Sequence, residues 1–139
     1  MLVLDNRVIS TGFNGTPEGF ANCSDHGCVR CYDSHLHKLG RSGETLDDEH
    51  VPGRGLDRCI CVHAEQNALL TAARFGIKVQ DATLYTTLSP CFGCLKESLQ
   101  AGVRRIVFEE HYHLPMSSAL VRQYEDLAEH LRDGDPTCF

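Results

Sequence analysis

Several features are missing from this 139-residue chain, and each absence excludes a class of function. No apolar run approaches the roughly 18 residues that a membrane-spanning helix needs. The opening Met1-Leu2-Val3-Leu4-Asp5 has no basic leader followed by a cleavable apolar stretch, so it does not read as a secretory signal, and the expected location is cytoplasmic. Basic clusters are absent too: Arg104-Arg105 is only a pair, and the net charge is −6. A phosphate backbone would be repelled by such a surface. The expected partner is therefore a small molecule, with no nucleic acid and no membrane. Repeats and domain linkers are also lacking, and the length suits one core, so residues 1–139 are expected to form a single domain.

What the chain has in plenty is cysteine. Eight are present, and in a short secreted protein they would suggest disulfides. Their spacing argues otherwise. Cys91 and Cys94 have two residues between them, and Cys28 and Cys31 repeat the pattern. In a reducing compartment such pairs more often bind metal.

Two motifs carry the chemistry: His63-Ala64-Glu65 and Pro90-Cys91-Phe92-Gly93-Cys94. Together they read H-x-E and P-C-x-x-C, the signature of zinc-dependent deaminases. One imidazole and two thiolates supply three ligands to a tetrahedral zinc ion and leave the fourth position for water. A glutamate two residues from the histidine can sit beside that water without binding the metal. The competing reading is a structural zinc, or a chance C-x-x-C near a core histidine; a structural site would close the fourth position.

Periodicity places these motifs. Met1 to Leu4 and Val8 to Gly12 flank Asp5-Asn6-Arg7 and predict a β-hairpin. Residues 14–57 are rich in Gly, Cys, Asp and His and predict a long loop, a length that is usually functional or disordered. A helix is expected from His63 to Arg74, stopped by Gly76. A strand from Ala82 to Leu88, a helix from Cys91 to Gln100 with Leu95 and Leu99 inward, and a strand from Arg105 to Phe108 predict a right-handed βαβ unit with parallel strands. Pro90 suits a helix start. A last helix, Ser117 to Leu131, turns Leu120, Tyr124, Leu127 and Leu131 to one face, with Ser117 as N-cap. Both motifs then sit at helix N-termini, where partial positive charge favours thiolates.

With these motifs the sequence resembles the deoxycytidylate (dCMP) deaminase family of the cytidine deaminase superfamily. The resemblance covers most of residues 1–112. It rests on ISTGFNGTPEGFANC (Ile9 to Cys23), CVRC (Cys28 to Cys31), CICVHAEQNALL (Cys59 to Leu70), ATLYTTLSPCFGC (Ala82 to Cys94), QAGVRRIVF (Gln100 to Phe108) and Tyr112. It implies an α/β fold, three-layer αβα, with a central five-stranded mixed sheet. It implies hydrolysis of dCMP to dUMP, with His63, Cys91 and Cys94 as zinc ligands and Glu65 as proton shuttle. By the same resemblance Asn14 holds the sugar or phosphate end, Tyr112 lies near ribose and base, and Ala64 and Ser89 join the substrate site. A homo-oligomer, dimer or hexamer, is implied, as is regulation by dCTP and dTTP through the loop from Asn14 to Gly19. Two departures stand out. The family's opening helix has no counterpart before Met1, which falls inside the first strand and leaves out a basic residue expected near the phosphate. The tail after Leu114 does not follow the family's final strand.

Six further cysteines remain. Cys23, Cys28, Cys31 and Cys59 are expected to form a second, structural zinc site that pins the long loop, with His26 able to replace one of them. The alternative is small buried residues or free thiols. Cys61 is expected in the core and Cys138 free in the tail. The remaining histidines lack ligand-like spacing and read as surface residues. Two other functions stay open: deamination of a free cytosine-type base, nucleoside or analogue, and a non-catalytic, zinc-stabilised partner.

Overall fold

The computed structural model describes residues 1–28, 30–31, 59–111, 116–129 and 131. By compactness the chain divides into two units, one of Met1–Phe13 with His63–Phe139 and one of Asn14–Val62.

The first unit is built on a mixed sheet. Strands β1 (Leu2–Leu4) and β2 (Arg7–Ser10) form the expected antiparallel hairpin, with Leu4 opposite Arg7. Only Asp5 and Asn6 join them, at φ 49° and 60°. Two consecutive left-handed residues match the twist of a hairpin, and short Asx side chains tolerate that conformation. Strand β3 (Thr83–Leu88) pairs antiparallel with β1 and parallel with β4 (Arg105–Glu110), giving the order β2-β1-β3-β4. The β3–β4 crossover carries helix α2 (Phe92–Gln100), as the βαβ reading requires. Helix α1 (Ala64–Arg74) precedes β3, and helix α3 (Ser118–Glu129) follows β4.

The sheet has four strands among the described residues, not five. The described chain beyond β4 forms α3 instead of a strand, because its buried positions recur at helical spacing. Tyr124, Ala128 and Leu131 are buried, while Leu120, expected on the same face, is 45% exposed. Ser117 caps this helix as expected: its hydroxyl accepts from the Leu120 N–H at 3.4 Å.

The core explains the register. Leu2 faces Leu84, and Leu84 faces Ile106. All three are fully buried, so one apolar row crosses three strands. Ala68 and Ala72 line the buried side of α1, small side chains that let the helix backbone lie close to its neighbours. Leu95 supplies the corresponding contact from α2, with Leu99 packed at the edge. Each fully buried leucine or isoleucine contributes roughly 1.5–3 kcal/mol. Among the described residues no helix is long and apolar enough to cross a membrane.

Candidate metal centre and active site

The parallel pair β3–β4 sets the position of the site. In open α/β sheets ligands gather beyond the carboxyl ends of parallel strands. Just past the end of β3, the Ser89 N–H donates to the Glu110 carbonyl at 2.8 Å, and Ser89 and Pro90 are buried. Cys91 follows as the N-cap of α2, with extended backbone (φ −67°, ψ 167°). Cys94 lies in the first turn of the same helix and is buried. The two-residue spacing thereby turns both sulfurs toward one end of α2.

His63 occupies the equivalent place on the other helix. It is the N-cap of α1, at φ −69° and ψ 156°. Its N–H donates to Gln66 Oε1 at 3.0 Å, and Gln66 Nε2 in turn donates to Glu97 Oε1 on α2 at 3.0 Å. One glutamine side chain therefore links the start of α1 to the second turn of α2. Two contacts from the end of β2 hold α1 from behind: Ser10 Oγ donates to the Ala68 carbonyl at 2.7 Å, and Asn67 Nδ2 to the Phe13 carbonyl at 2.7 Å. At Gly12, two residues past β2, the backbone approaches α1 so closely that a Cβ would lie 2.1 Å from the Ala64 oxygen.

These supports bring His63, Cys91 and Cys94 into one donor set, with ligand atoms all within 4.8 Å of one another. His63 Nδ1 lies 3.5 Å from Cys91 Sγ and 3.4 Å from Cys94 Sγ. Tetrahedral zinc with ordinary bond lengths places a sulfur and a nitrogen ligand about 3.5 Å apart. The donor set therefore fits zinc in both atom type and spacing. Its electrostatics agree. Cys91 is pulled down to about 4, first by its hydrogen bond with the Cys94 thiol and then by His63, against the effect of burial. His63 is raised by its hydrogen bond with Cys91, while Cys94 is raised by its hydrogen bond with Cys91 and by burial. One thiolate is thus present beside the imidazole, and a divalent ion would deprotonate the second.

Glu65 is the second residue of α1 and is half-buried. Its charge acts on His63, Cys94 and Tyr124. Ala64 opens the helix beside His63, and Ser89 is buried beside Pro90. Asn14 is exposed and belongs to the other compact unit. Tyr112 lies outside the described residues. Two supporting residues escape sequence reasoning. Gln66 looks like any polar helix residue, although its place three positions after an N-cap is a capping signal. Tyr124 reads as core filling, yet its buried hydroxyl donates to the Pro90 carbonyl at 2.8 Å.

The family model for the cytidine and deoxycytidylate deaminase zinc-binding region matches residues 1–110. The chain belongs to this family. The deoxycytidylate deaminase of Schizosaccharomyces pombe is 37% identical over 123 residues, which cover 88% of this chain and 33% of that protein. The deoxycytidylate deaminase of Saccharomyces cerevisiae is 36% identical over 118 residues, covering 85% of this chain and 32% of that protein. The chain thus spans about a third of the length of these two relatives. Among solved structures, the dCMP deaminase of cyanophage S-TIM5 in complex with dCMP and dUMP aligns at a TM-score of 0.58 and 26% identity. The alignment covers 94% of this chain and 73% of that one. The mixed sheet and helices described above are therefore those of a deaminase domain.

In the second unit, the expected cysteine group is present with a change of membership. Cys23, Cys28, Cys31 and Cys61 have sulfurs all within 4.8 Å of one another. Cys61, expected in the core, is half-buried and joins the group, and Cys59 adjoins it. His26 caps the turn after Cys23–Asp25 in the left-handed conformation and is not in the group.

Proposed function

We propose that this chain is a zinc-dependent hydrolytic deaminase that converts dCMP to dUMP and releases ammonia. The observation that carries the reading is the three-donor set of His63, Cys91 and Cys94, with Glu65 in the same first turn as His63. Three donors leave a tetrahedral ion one position for a water, which is the arrangement of a catalytic and not a structural site. The yeast relatives and the dCMP-bound neighbour support the choice of substrate.

In this reading His63, Cys91 and Cys94 hold the zinc, which when bound lowers the pKa of a water to about 7. Glu65 accepts the proton of the attacking water and delivers it to the ring nitrogen. Oxygen adds at C4 of the pyrimidine. Glu65 then takes the proton of the new C4 hydroxyl and passes it to the amino group, which leaves as ammonia while the C4 carbonyl forms. Asn14 meets the sugar or phosphate through an amide that both donates and accepts. We assign Ala64 and Ser89 to the base, and Tyr112, which lies outside the described residues, to ribose and base on the family resemblance alone. Residues 1–139 act as one cytoplasmic deaminase domain, without nucleic acid or membrane partners. We assign it to a homo-oligomer, dimer or hexamer; Leu70 and Phe75, 60% and 69% exposed, are apolar surface suited to a second copy.

The test is ammonia release from dCMP, CMP, dCTP, deoxycytidine and cytosine, measured side by side. Removal of the phosphate is expected to cost more than ~10-fold in kcat/KM, because a site built for a charged group is left unpaired. Equal turnover of deoxycytidine or cytosine would move the substrate to a nucleoside or free base. No release from any of them, with zinc loaded, would leave a zinc-stabilised partner protein.

A further inference from the structure

The unit of Asn14–Val62 lacks an apolar interior among its described residues. Its one buried hydrophobic residue is Cys28, at 3% exposure, whereas Phe20 is 66% exposed and Ile60 43%. The little apolar surface that these described residues bury does not offset the entropy of ordering their backbone. Small units of this kind need a covalent or metal staple.

The described backbone nonetheless forms a tight turn and one β-bridge, and it converges on sulfur. Cys23–Asp25 forms one turn of 3-10 helix. The N–H groups of Asp25 and Gly27 both donate to the Asn22 carbonyl at 2.9 Å. His26 is left-handed at φ 60°, and a Cβ on Gly27 would lie 1.6 Å from the Ala21 oxygen. This tight turn folds Cys28 back toward Cys23. From the other side, the segment carrying Cys59 and Cys61 is anchored by the antiparallel bridge of Gly15 and Val62, with N–H to carbonyl distances of 3.2 Å and 2.8 Å.

Five thiols meet where these segments converge. Cys31 Sγ lies 3.7 Å from Cys61 Sγ and 3.4 Å from Cys59 Sγ, Cys28 Sγ lies 3.5 Å from Cys59 Sγ, and Cys23 Sγ lies 2.7 Å from Cys61 Sγ. None of the five is in a disulfide. Two sulfurs on one tetrahedral zinc are about 3.8 Å apart; Cys31 and Cys61 already stand at that spacing, Cys23 and Cys61 are closer and must open to reach it, and Cys23, Cys28, Cys31 and Cys61 all fall within 4.8 Å of one another. We propose that these four cysteines hold a structural zinc ion that orders the Asn14–Val62 unit, with Cys59 as a fifth, non-ligating thiol. Binding releases four thiol protons to solvent and leaves a tetrathiolate site of net charge −2. Cys59 Sγ stays within hydrogen-bond reach of the ligand sulfurs of Cys28 and Cys31, at 3.5 Å and 3.4 Å. Four thiolates close the coordination sphere, so this ion stabilises and does not catalyse.

Elemental analysis of the purified full chain tests this independently of deaminase activity. Two zinc ions per chain are expected, and one must remain when the His63→Ala/Cys91→Ala variant has lost the other. Cys61→Ser is expected to lose one zinc, whereas Cys59→Ser keeps both. Thiol titration of the native protein serves as a check that needs no variant. Of the eight cysteines, only Cys59 and Cys138 should react quickly before a chelator is added, and all eight afterwards. One zinc per chain with Cys28 and Cys31 freely alkylated would overturn the proposal, as would a Cys23–Cys61 disulfide in the isolated protein. Loss of zinc from Cys59→Ser but not from Cys61→Ser would overturn the ligand assignment.

Discussion

Tyr124 on α3 reaches across to α2 and donates its hydroxyl to the carbonyl of Pro90, at 2.8 Å and out of contact with water. Pro90 immediately precedes Cys91, so a helix near the end of the chain fixes the peptide that aims the first thiolate. The ring packs against Phe92 at a centroid distance of 6.1 Å. Burial, together with the negative charge of Cys91, Cys94 and Glu65, pushes the phenol up to about 12. The hydroxyl therefore stays protonated and remains a donor at neutral pH.

Replacing Tyr124 with Phe keeps the ring contact and removes only the donor. The Pro90 carbonyl is then left buried without this partner, which costs about 1–3 kcal/mol. Urea unfolding of the zinc-loaded protein should show that loss as a lower midpoint with an unchanged slope. An unchanged midpoint would mean that the carbonyl is satisfied by another group and that α3 does not hold the Cys91 peptide.

Glu65→Gln is the sharpest test of the chemistry. The amide keeps the size of the side chain and loses the ability to carry a proton. Turnover of dCMP is expected to fall by at least ~10²-fold, the low end for general acid–base catalysis. Zinc content should be unchanged, since the donor set is His63, Cys91 and Cys94. A Glu65→Gln enzyme with normal turnover would refute the shuttle role; one that had lost its zinc would make Glu65 a ligand.

The parts of this fold that could be read from the sequence are those with local causes. The hairpin turn needs two residues that tolerate positive φ, and Asp5-Asn6 announces them. Helices α1 and α2 declare themselves by periodicity and by the motifs at their starts, and Ser117 is visible as a cap because capping is local. What stayed hidden depends on distant partners. The face of α3 was misjudged at Leu120, because an apolar residue on a periodic stripe is buried only if something covers it. Cys61 was placed in the core by its proximity to His63, yet the bridge between Gly15 and Val62 carries it to the sulfur cluster instead. The fifth strand was carried over from the family, and no periodicity in residues 116–131 calls for one.

Gln66 supplies a test of how α1 and α2 are held together beside the metal ligands. Gln66→Ala removes the acceptor for the His63 N–H and the donor to Glu97. Partners of this kind orient ligands and commonly affect metal affinity by 10–100-fold. The Gln66–Glu97 bond is exposed, so the low end, about 10-fold weaker zinc binding, is expected in competition with a calibrated chelator. Fold stability without metal should change by less than about 1 kcal/mol. If zinc affinity is unaffected, packing alone sets the distance between His63 and the two cysteines.

Gly12 separates a packing role from a ligand role. Gly12 lies two residues before Asn14, but its close neighbour is the protein itself. A Cβ there would lie 2.1 Å from the Ala64 carbonyl oxygen and 2.6 Å from the Ala68 nitrogen. Both atoms belong to the backbone of α1, which cannot yield as a side-chain tip can. Gly12→Ala must therefore push α1 away from β2, at a cost of about 1–3 kcal/mol typical of overpacking. Because Ala64 adjoins His63, the displacement should also reach the metal site, so kcat falls together with stability. Gly93→Ala is the matched control for stability. Its Cβ would meet only Cys91 Sγ at 3.9 Å, and alanine is favoured over glycine within a helix by up to about 1 kcal/mol. If Gly12→Ala unfolds at the wild-type midpoint and instead raises KM for dCMP, the glycine serves the nucleotide and the packing account is wrong.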